Sequence, residues 1–348
     1  MNHLSRLLLL LPLGGLACAA DPSPATVTFT GGQTMANVYV VEETMEGISF
    51  IMDAKDPNAA RLTKAHGQYM VSYPESLNRD YKTGLIDEAS RNIEGGITAY
   101  SAAAANGRYD WERQNAALGV ARLAEQGGKA DYANAITVLT AMLAAYPDSV
   151  HAVDATYRLG NLELLNGDQA AALKVAAGLT DKASDWGIEA SAMGAALSAQ
   201  CALAAGQPAG AITELTPFFG DKVTAAKNPE EFLHIGLVLA QAQLKANDPA
   251  ALETIRQIAY SPASPAGQAA AHLLWATTLA DKGDAASLRD AFDHAAIAAS
   301  LTGGDPSIRG QAVGLATALV GRIVATGMDD AAKNKLKVEY GGYVAKMQ

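Results

Sequence analysis

Two hydrophobic rhythms divide this chain. Over residues 25–73 apolar and polar positions alternate in short runs. Val27 and Phe29 lead into a Gly31-Gly32 turn, Met35 to Val41 is rich in β-branched and aromatic residues, and Ile48 to Met52 alternates again. Gln68 to Tyr73 closes the set before Pro74, and polar turns at Glu42 to Gly47 and Asp53 to Asn58 separate the runs. A period of two interrupted by such turns predicts four or five short strands. From about Leu77 the rhythm becomes three-to-four. Ala135, Val138 and Met142 share one face, as do Ile136, Leu139, Leu143 and Tyr146, and Leu233, Leu237, Ala240 and Leu244 repeat the pattern later. That spacing predicts amphipathic helices.

The helical part is punctuated at regular intervals. Gly127-Gly128, Asn166-Gly167-Asp168, Gly206-Gln207-Pro208, Asn247-Asp248-Pro249 and Gly283-Asp284 are helix stops, and from Gly128 the spacings are 39, 39, 41 and 36 residues. Each interval has room for two helices, and a period near 40 marks a repeat array. Pro208, Pro249 and Pro265 are placed to start helices, where a missing N–H costs nothing. Asn228-Pro229-Glu230-Glu231 reads as a cap, a first-turn proline and two acids at the positive helix end. Gln311 to Met328 reads as a buried late helix interrupted by Arg322, and Asp329 to Gln348, with four lysines, as a polar cap on the array.

The wording inside the repeat is specific. Ala155-Thr156-Tyr157-Arg158-Leu159-Gly160-Asn161 runs into Asn166-Gly167-Asp168 and then Ala172-Leu173. This resembles the tetratricopeptide repeat (TPR), with its Leu-Gly pair, its turn seven residues later and a small residue five beyond the turn glycine. Leu118-Gly119, Gly127-Gly128, Ala135-Ile136 and Tyr146-Pro147 echo it in the preceding unit. Later units keep the turn and the fifth residue after it (Gly206 with Ala211, Asn247 with Leu252, Gly283 with Leu288) but lack the Leu-Gly pair. The strand region, with Phe29-Thr30-Gly31-Gly32-Gln33 before a long second strand, resembles SH3-like and Sm-like barrels. The expected fold is therefore mainly α. An α-α helical-repeat array, a TPR-like solenoid, covers 77–348, preceded by a small all-β barrel-like domain over 21–76. The resemblance implies a groove that takes a peptide or protein partner.

Residues 1–20 read as a signal peptide: Arg6 supplies the positive end, Leu7 to Leu13 the apolar stretch, and Ala17-Cys18-Ala19-Ala20 the small residues of a cleavage site. Export to the periplasm or beyond follows. Cys18 raises a lipid anchor, but Gly15 stands where a lipobox has a large apolar residue. The other cysteine, Cys201, cannot form an internal disulfide alone, so the exported fold rests on its core. No membrane span is expected after signal removal.

Composition sharpens the picture. There are 72 alanines, 11 in residues 1–100 and 61 in 101–348, so the excess begins where the strands end. Alanine suits helices and close helix packing. The net charge of −10 argues against a nucleic-acid partner, since phosphate contacts need a Lys/Arg surplus. For the same reason RNA binding is not carried over from the barrel resemblance.

No chemistry stands out. His3, His66, His151, His234, His272 and His294 never fall within four residues of one another, no Cys pair exists, and no phosphate loop or nucleophile elbow is present. Metal and cofactor sites are therefore not expected. Glu42, Glu43 and Glu46 read as a solvated hairpin tip, and Trp111, Trp186 and Trp275 as core anchors. Tyr132, Tyr146 and Tyr157 surround the best repeat and are the candidates for a partner-binding face. The expected function is an exported, non-enzymatic interaction scaffold of the bacterial envelope. The alternatives are an exported enzyme with an unrecognised site, or a small-ligand sensor using the β module.

Overall fold

The computed structural model describes residues 21–348 apart from 57, 263, 302–305 and 348. Residues 1–20, read from the sequence as a signal peptide, and Cys18 among them, lie outside the described residues. The chain divides into two compact units between Asn166 and Gly167.

The first unit opens with five strands: β1 (Ser23–Phe29), β2 (Thr34–Glu43), β3 (Gly47–Ile51), β4 (Leu62–Ala65) and β5 (Tyr69–Ser72). They form one antiparallel sheet in the order β4-β3-β2-β1-β5. The edge strands β4 and β5 are consecutive in sequence, joined by residues 66–68. A flat five-stranded sheet would hold its edges about 19 Å apart, whereas that link spans at most about 14 Å. The sheet is therefore rolled, as expected of a barrel-like module. Ala25, Val27, Val38, Val40, Ile48 and Phe50 fill its interior, with Phe29, Tyr69, Val71 and Tyr73 at the margin.

Five helices follow in this unit: α1 (Arg79–Ser90), α2 (Ile93–Asn106), α3 (Asp110–Gly127), α4 (Lys129–Ala145) and α5 (Ala152–Asn166). Each packs on the next in sequence order. Their closeness is set by Tyr100 of α2, which is 1% exposed. One edge of its ring lies where a Cβ on Gly84 of α1 would come within 2.5 Å, the other where a Cβ on Gly119 of α3 would come within 2.7 Å. Three helices can meet around one phenol only because two of them carry glycine there. The Tyr100 hydroxyl donates to Glu88 at 2.6 Å, and Glu88 pairs with Arg122 of α3. Arg158 and Asn161 of α5 both donate to Glu125 of α3, tying alternate helices together.

The second unit contains nine helices among its described residues: α6 (Gln169–Asp181), α7 (Ala183–Ala204), α8 (Pro208–Leu215), α9 (Pro229–Lys245), α10 (Ala251–Ala259), α11 (Pro265–Lys282), α12 (Ala285–Ser300), α13 (Pro306–Ala325) and α14 (Asp330–Met347). They too pack against neighbours in sequence order. All five stops fall between helices, and each interval between stops holds two. The alanines sit inside: Ala190, Ala192, Ala195, Ala196 and Ala199 of α7 are buried. Pro208, Pro229 and Pro265 occupy first-turn positions. Asn228 stands at the α9 cap, but its side chain donates to Glu189 of α7 instead of accepting from the α9 backbone.

The reading of Gln311 to Met328 as a buried helix is corrected in extent. In α13 only a stripe (Ala312, Ala316, Leu319 and Ile323) is buried, and only 22% of the window Ile308–Ala325 is buried. That window is long and apolar enough to cross a membrane by length and composition. Arg322 interrupts it for a reason: its Nη2 donates to the Ala280 carbonyl at 2.7 Å, satisfying the end of α11. The lysine-bearing α14 packs on α13 and buries only Val344.

Gly119→Ala should force the Tyr100 ring aside and cost about 1–3 kcal/mol, seen as a melting-temperature drop of several degrees. Gly314→Ala, at an exposed helical position with nothing within 4 Å of the new Cβ, should instead be neutral or stabilise by about 0.5–1 kcal/mol. Equal effects in thermal melts would contradict the packing account.

Candidate functional site

The first unit contains a cleft of about 320 Å³. One wall is the end of β2 (Val40 to Glu43) with Thr44, and the opposite wall is the first turn of α3 and the α4–α5 connection (Tyr146 to His151). The β2–β3 turn is docked onto this connection: the Met45 N–H donates to the Asp148 carbonyl at 2.9 Å, and Thr44 pairs with Ser149. The glutamate cluster is thus not a solvated tip. Glu42 and Glu46 are exposed, but Glu43 is half-buried and accepts from Tyr73 at 2.8 Å and Tyr69 at 3.3 Å. Burial, and then the Glu43 charge, push both phenols above their ordinary range, so they stay donors.

The other side of the cleft is held just as specifically. Tyr146 donates to Asp110 at 2.7 Å, and Ser149 donates to Gln114 at 2.5 Å. Tyr73 stacks on Trp111 with ring centroids 5.0 Å apart, and Tyr81 meets Trp111 edge-on. The Trp111 Nε1–H is buried with no acceptor. Burial lowers the His151 imidazole below its usual value, against the pull of Glu43 and Asp154. A neutral imidazole, tyrosine hydroxyls and oriented carboxylates therefore face one space.

The three candidate tyrosines separate. Tyr146 lines the cleft, whereas Tyr132 and Tyr157 are buried, at 9% and 6% exposure. The tryptophans differ as well. Trp186 is buried with the Lys182 ammonium 3.8 Å from its ring, Trp111 lines the cleft, and Trp275 belongs to a second cluster.

That cluster lies in the second unit. His272 of α11 and His294 of α12 place their Nδ1 atoms 3.0 Å apart, and the Trp275 ring stacks on His294 at 4.0 Å. Tyr260 meets both His272 and Trp275 edge-on. Two facing Nδ1 atoms can share one hydrogen, one ring donating and the other accepting. Burial, then the neighbouring His294, lowers His272 to about 4. Burial lowers His294 too, opposed by Asp290 and Asp293. The pair escapes a search for close spacing, yet each histidine lies 11 residues from Gly283, one before and one after. Gly283, at φ 78°, turns α11 into α12 and brings the two level.

Among the described residues no three or more His, Cys, Asp or Glu side chains gather to hold a metal. Cys201 is buried in α7, and burial raises its thiol. Compared with protein-family models and with curated proteins, the chain matches none.

The histidine pair makes stability pH-dependent. Its folded-state affinity for protons is depressed, so the unfolded chain binds more protons below about 6.5, the ordinary value. The stabilising contribution is present above that pH and is lost as pH falls towards about 4. Thermal melts should show the second unit losing about 1–3 kcal/mol across this window. His272→Gln should flatten the slope, and an unchanged slope would refute the assignment.

Proposed function

We propose that the chain is an exported scaffold of the TPR-like kind that binds a peptide or protein partner in the bacterial envelope and catalyses no reaction. The observation that carries this reading is the cleft between the rolled sheet and α3–α5. Its polar wall is anchored by the Tyr146–Asp110 and Ser149–Gln114 hydrogen bonds, and Tyr146, a candidate binding residue, lines it. The helix pairs at a period near 40 support the array, since stacked repeats characteristically present extended binding surfaces. The apolar leader of residues 1–20 supports export. The acidic balance supports a partner other than nucleic acid.

A second reading, an exported enzyme, draws on one observation. Glu43, Asp110 and Asp148 share the cleft with His151, whose burial keeps it neutral and able to accept a proton. Carboxylates beside a neutral imidazole are acid–base machinery in principle.

The two are separated by pull-down and turnover. The purified chain should retain a discrete partner from an envelope extract, and Tyr146→Ala with Asp110→Ala should reduce that capture by about tenfold or more. Repeated capture of nothing, together with measurable hydrolysis of a substrate panel abolished by His151→Ala, would replace the scaffold with the enzyme.

A further inference from the structure

The charge inside the cleft is one-sided. Five of its lining residues are carboxylates (Asp21, Glu42, Glu43, Asp110 and Asp148), against a single guanidinium, Arg61. Asp21 is already paired with Arg108. None of the other four has an ion-pair partner among the described residues. Two of them are nonetheless aimed: Glu43 by the hydroxyls of Tyr69 and Tyr73, Asp110 by that of Tyr146. A carboxylate held by neutral donors keeps its full charge and spends no mobility on reaching a ligand. Between them stand aromatic side chains, Tyr73, Trp111 and Tyr146, which favour a cation electrostatically through their ring faces. His151, kept neutral, adds no opposing charge.

We infer that this cleft receives a nitrogen cation, an ammonium or guanidinium group, delivered as the basic side chain of a bound peptide. The inference rests on the scaffold reading for the source of the cation and on the cleft alone for its chemistry. The cleft volume of about 320 Å³ is room enough for a long basic side chain. The carboxylates come from β2, α3 and the α4–α5 connection, so a cation between them is gripped from both walls. A small divalent metal is the poorer fit, since no three ligating side chains converge among the described residues.

Isothermal titration of the purified chain tests this with five probes: acetyl-Gly-Arg-Gly-amide, its lysine counterpart, its citrulline counterpart as the neutral control, free putrescine, and Ca²⁺. The arginine and lysine peptides should bind and the citrulline peptide should bind at least about tenfold more weakly. Affinity should fall as salt rises. Glu43→Gln and Asp110→Asn, which keep an acceptor for the tyrosines, should each weaken binding by about tenfold. Arg61→Ala removes the one cationic side chain that lines the cleft and should tighten binding several-fold, a gain that misfolding cannot mimic. Putrescine binding as tightly as the peptides would assign the site to free amines and overturn the peptide source. Equal binding of arginine and citrulline peptides, or tighter binding of Ca²⁺ than of either cationic peptide, would overturn the cation assignment. If no peptide binds while partner capture persists and ignores Asp110→Ala, this inference fails and the scaffold stands. If the peptides bind but no partner is captured, the scaffold reading fails and the cleft chemistry stands.

Discussion

Close approach between helices is the constraint on which this structure depends. A helix pair needs room for backbones to near each other, and the chain provides it with alanine on the buried faces and glycine where a large ring intervenes. Tyr100 shows the principle most directly, because a ring 1% exposed occupies volume that two absent side chains vacate. The same device recurs in the second unit, where Gly267 of α11 accommodates Leu233 of α9 and Gly236 of α9 accommodates Ile258 of α10. Small side chains therefore decide how tightly the array stacks, and the larger apolar residues fill what is left.

A second constraint joins the sheet to the helices and thereby builds the cleft. Glu112 of α3 is 1% exposed, an expensive place for a carboxylate. It accepts from the Ser76 hydroxyl in the segment that leaves the sheet, and from the backbone N–H groups of Arg108 and Tyr109 at 3.0 and 3.2 Å. Its position at the helix N-terminus adds the favourable end of the helix dipole. This one side chain fixes the first turn of α3 against the strand-to-helix crossing. Asp110, Trp111 and Gln114, which flank it in sequence, are held facing β2 as a result. The cleft is thus a by-product of how the rolled sheet is fastened.

Much of the fold is legible in the chain because its signals are local. Strand alternation at Val38-Val40 and Ile48-Phe50, and the helix stops at each repeat, depend only on neighbouring residues. Strand β4 is not legible, for a physical reason: Leu62-Thr63-Lys64-Ala65 is exposed throughout, so no alternation of burial writes itself into the residues. The cleft is invisible for another reason. Glu43, Tyr73, Asp110, Tyr146 and His151 lie on separate elements, and only the docking of the β2–β3 turn on the α4–α5 connection brings them together. Glu42-Glu43-Thr44-Met45-Glu46 reads as a solvated turn because its polarity is plain and its docking partner lies some hundred residues away. The histidine pair falls between these cases: its symmetry about Gly283 is written in the sequence, but it carries meaning only once α11 and α12 are known to fold back on each other.

The Arg322 side chain gives the array a kind of memory beyond adjacent helices. In a stack of helix pairs each repeat contacts only its neighbours, and stability is a sum of single-repeat and nearest-neighbour terms. Arg322 belongs to α13 but satisfies a carbonyl at the end of α11, on the other side of the Gly283 stop, so it belongs to the term that joins one helix pair to the next. Loss of α13 returns that carbonyl to water and takes a favourable contact from the preceding pair, so the two pairs are coupled through a single side chain as well as through their apolar faces.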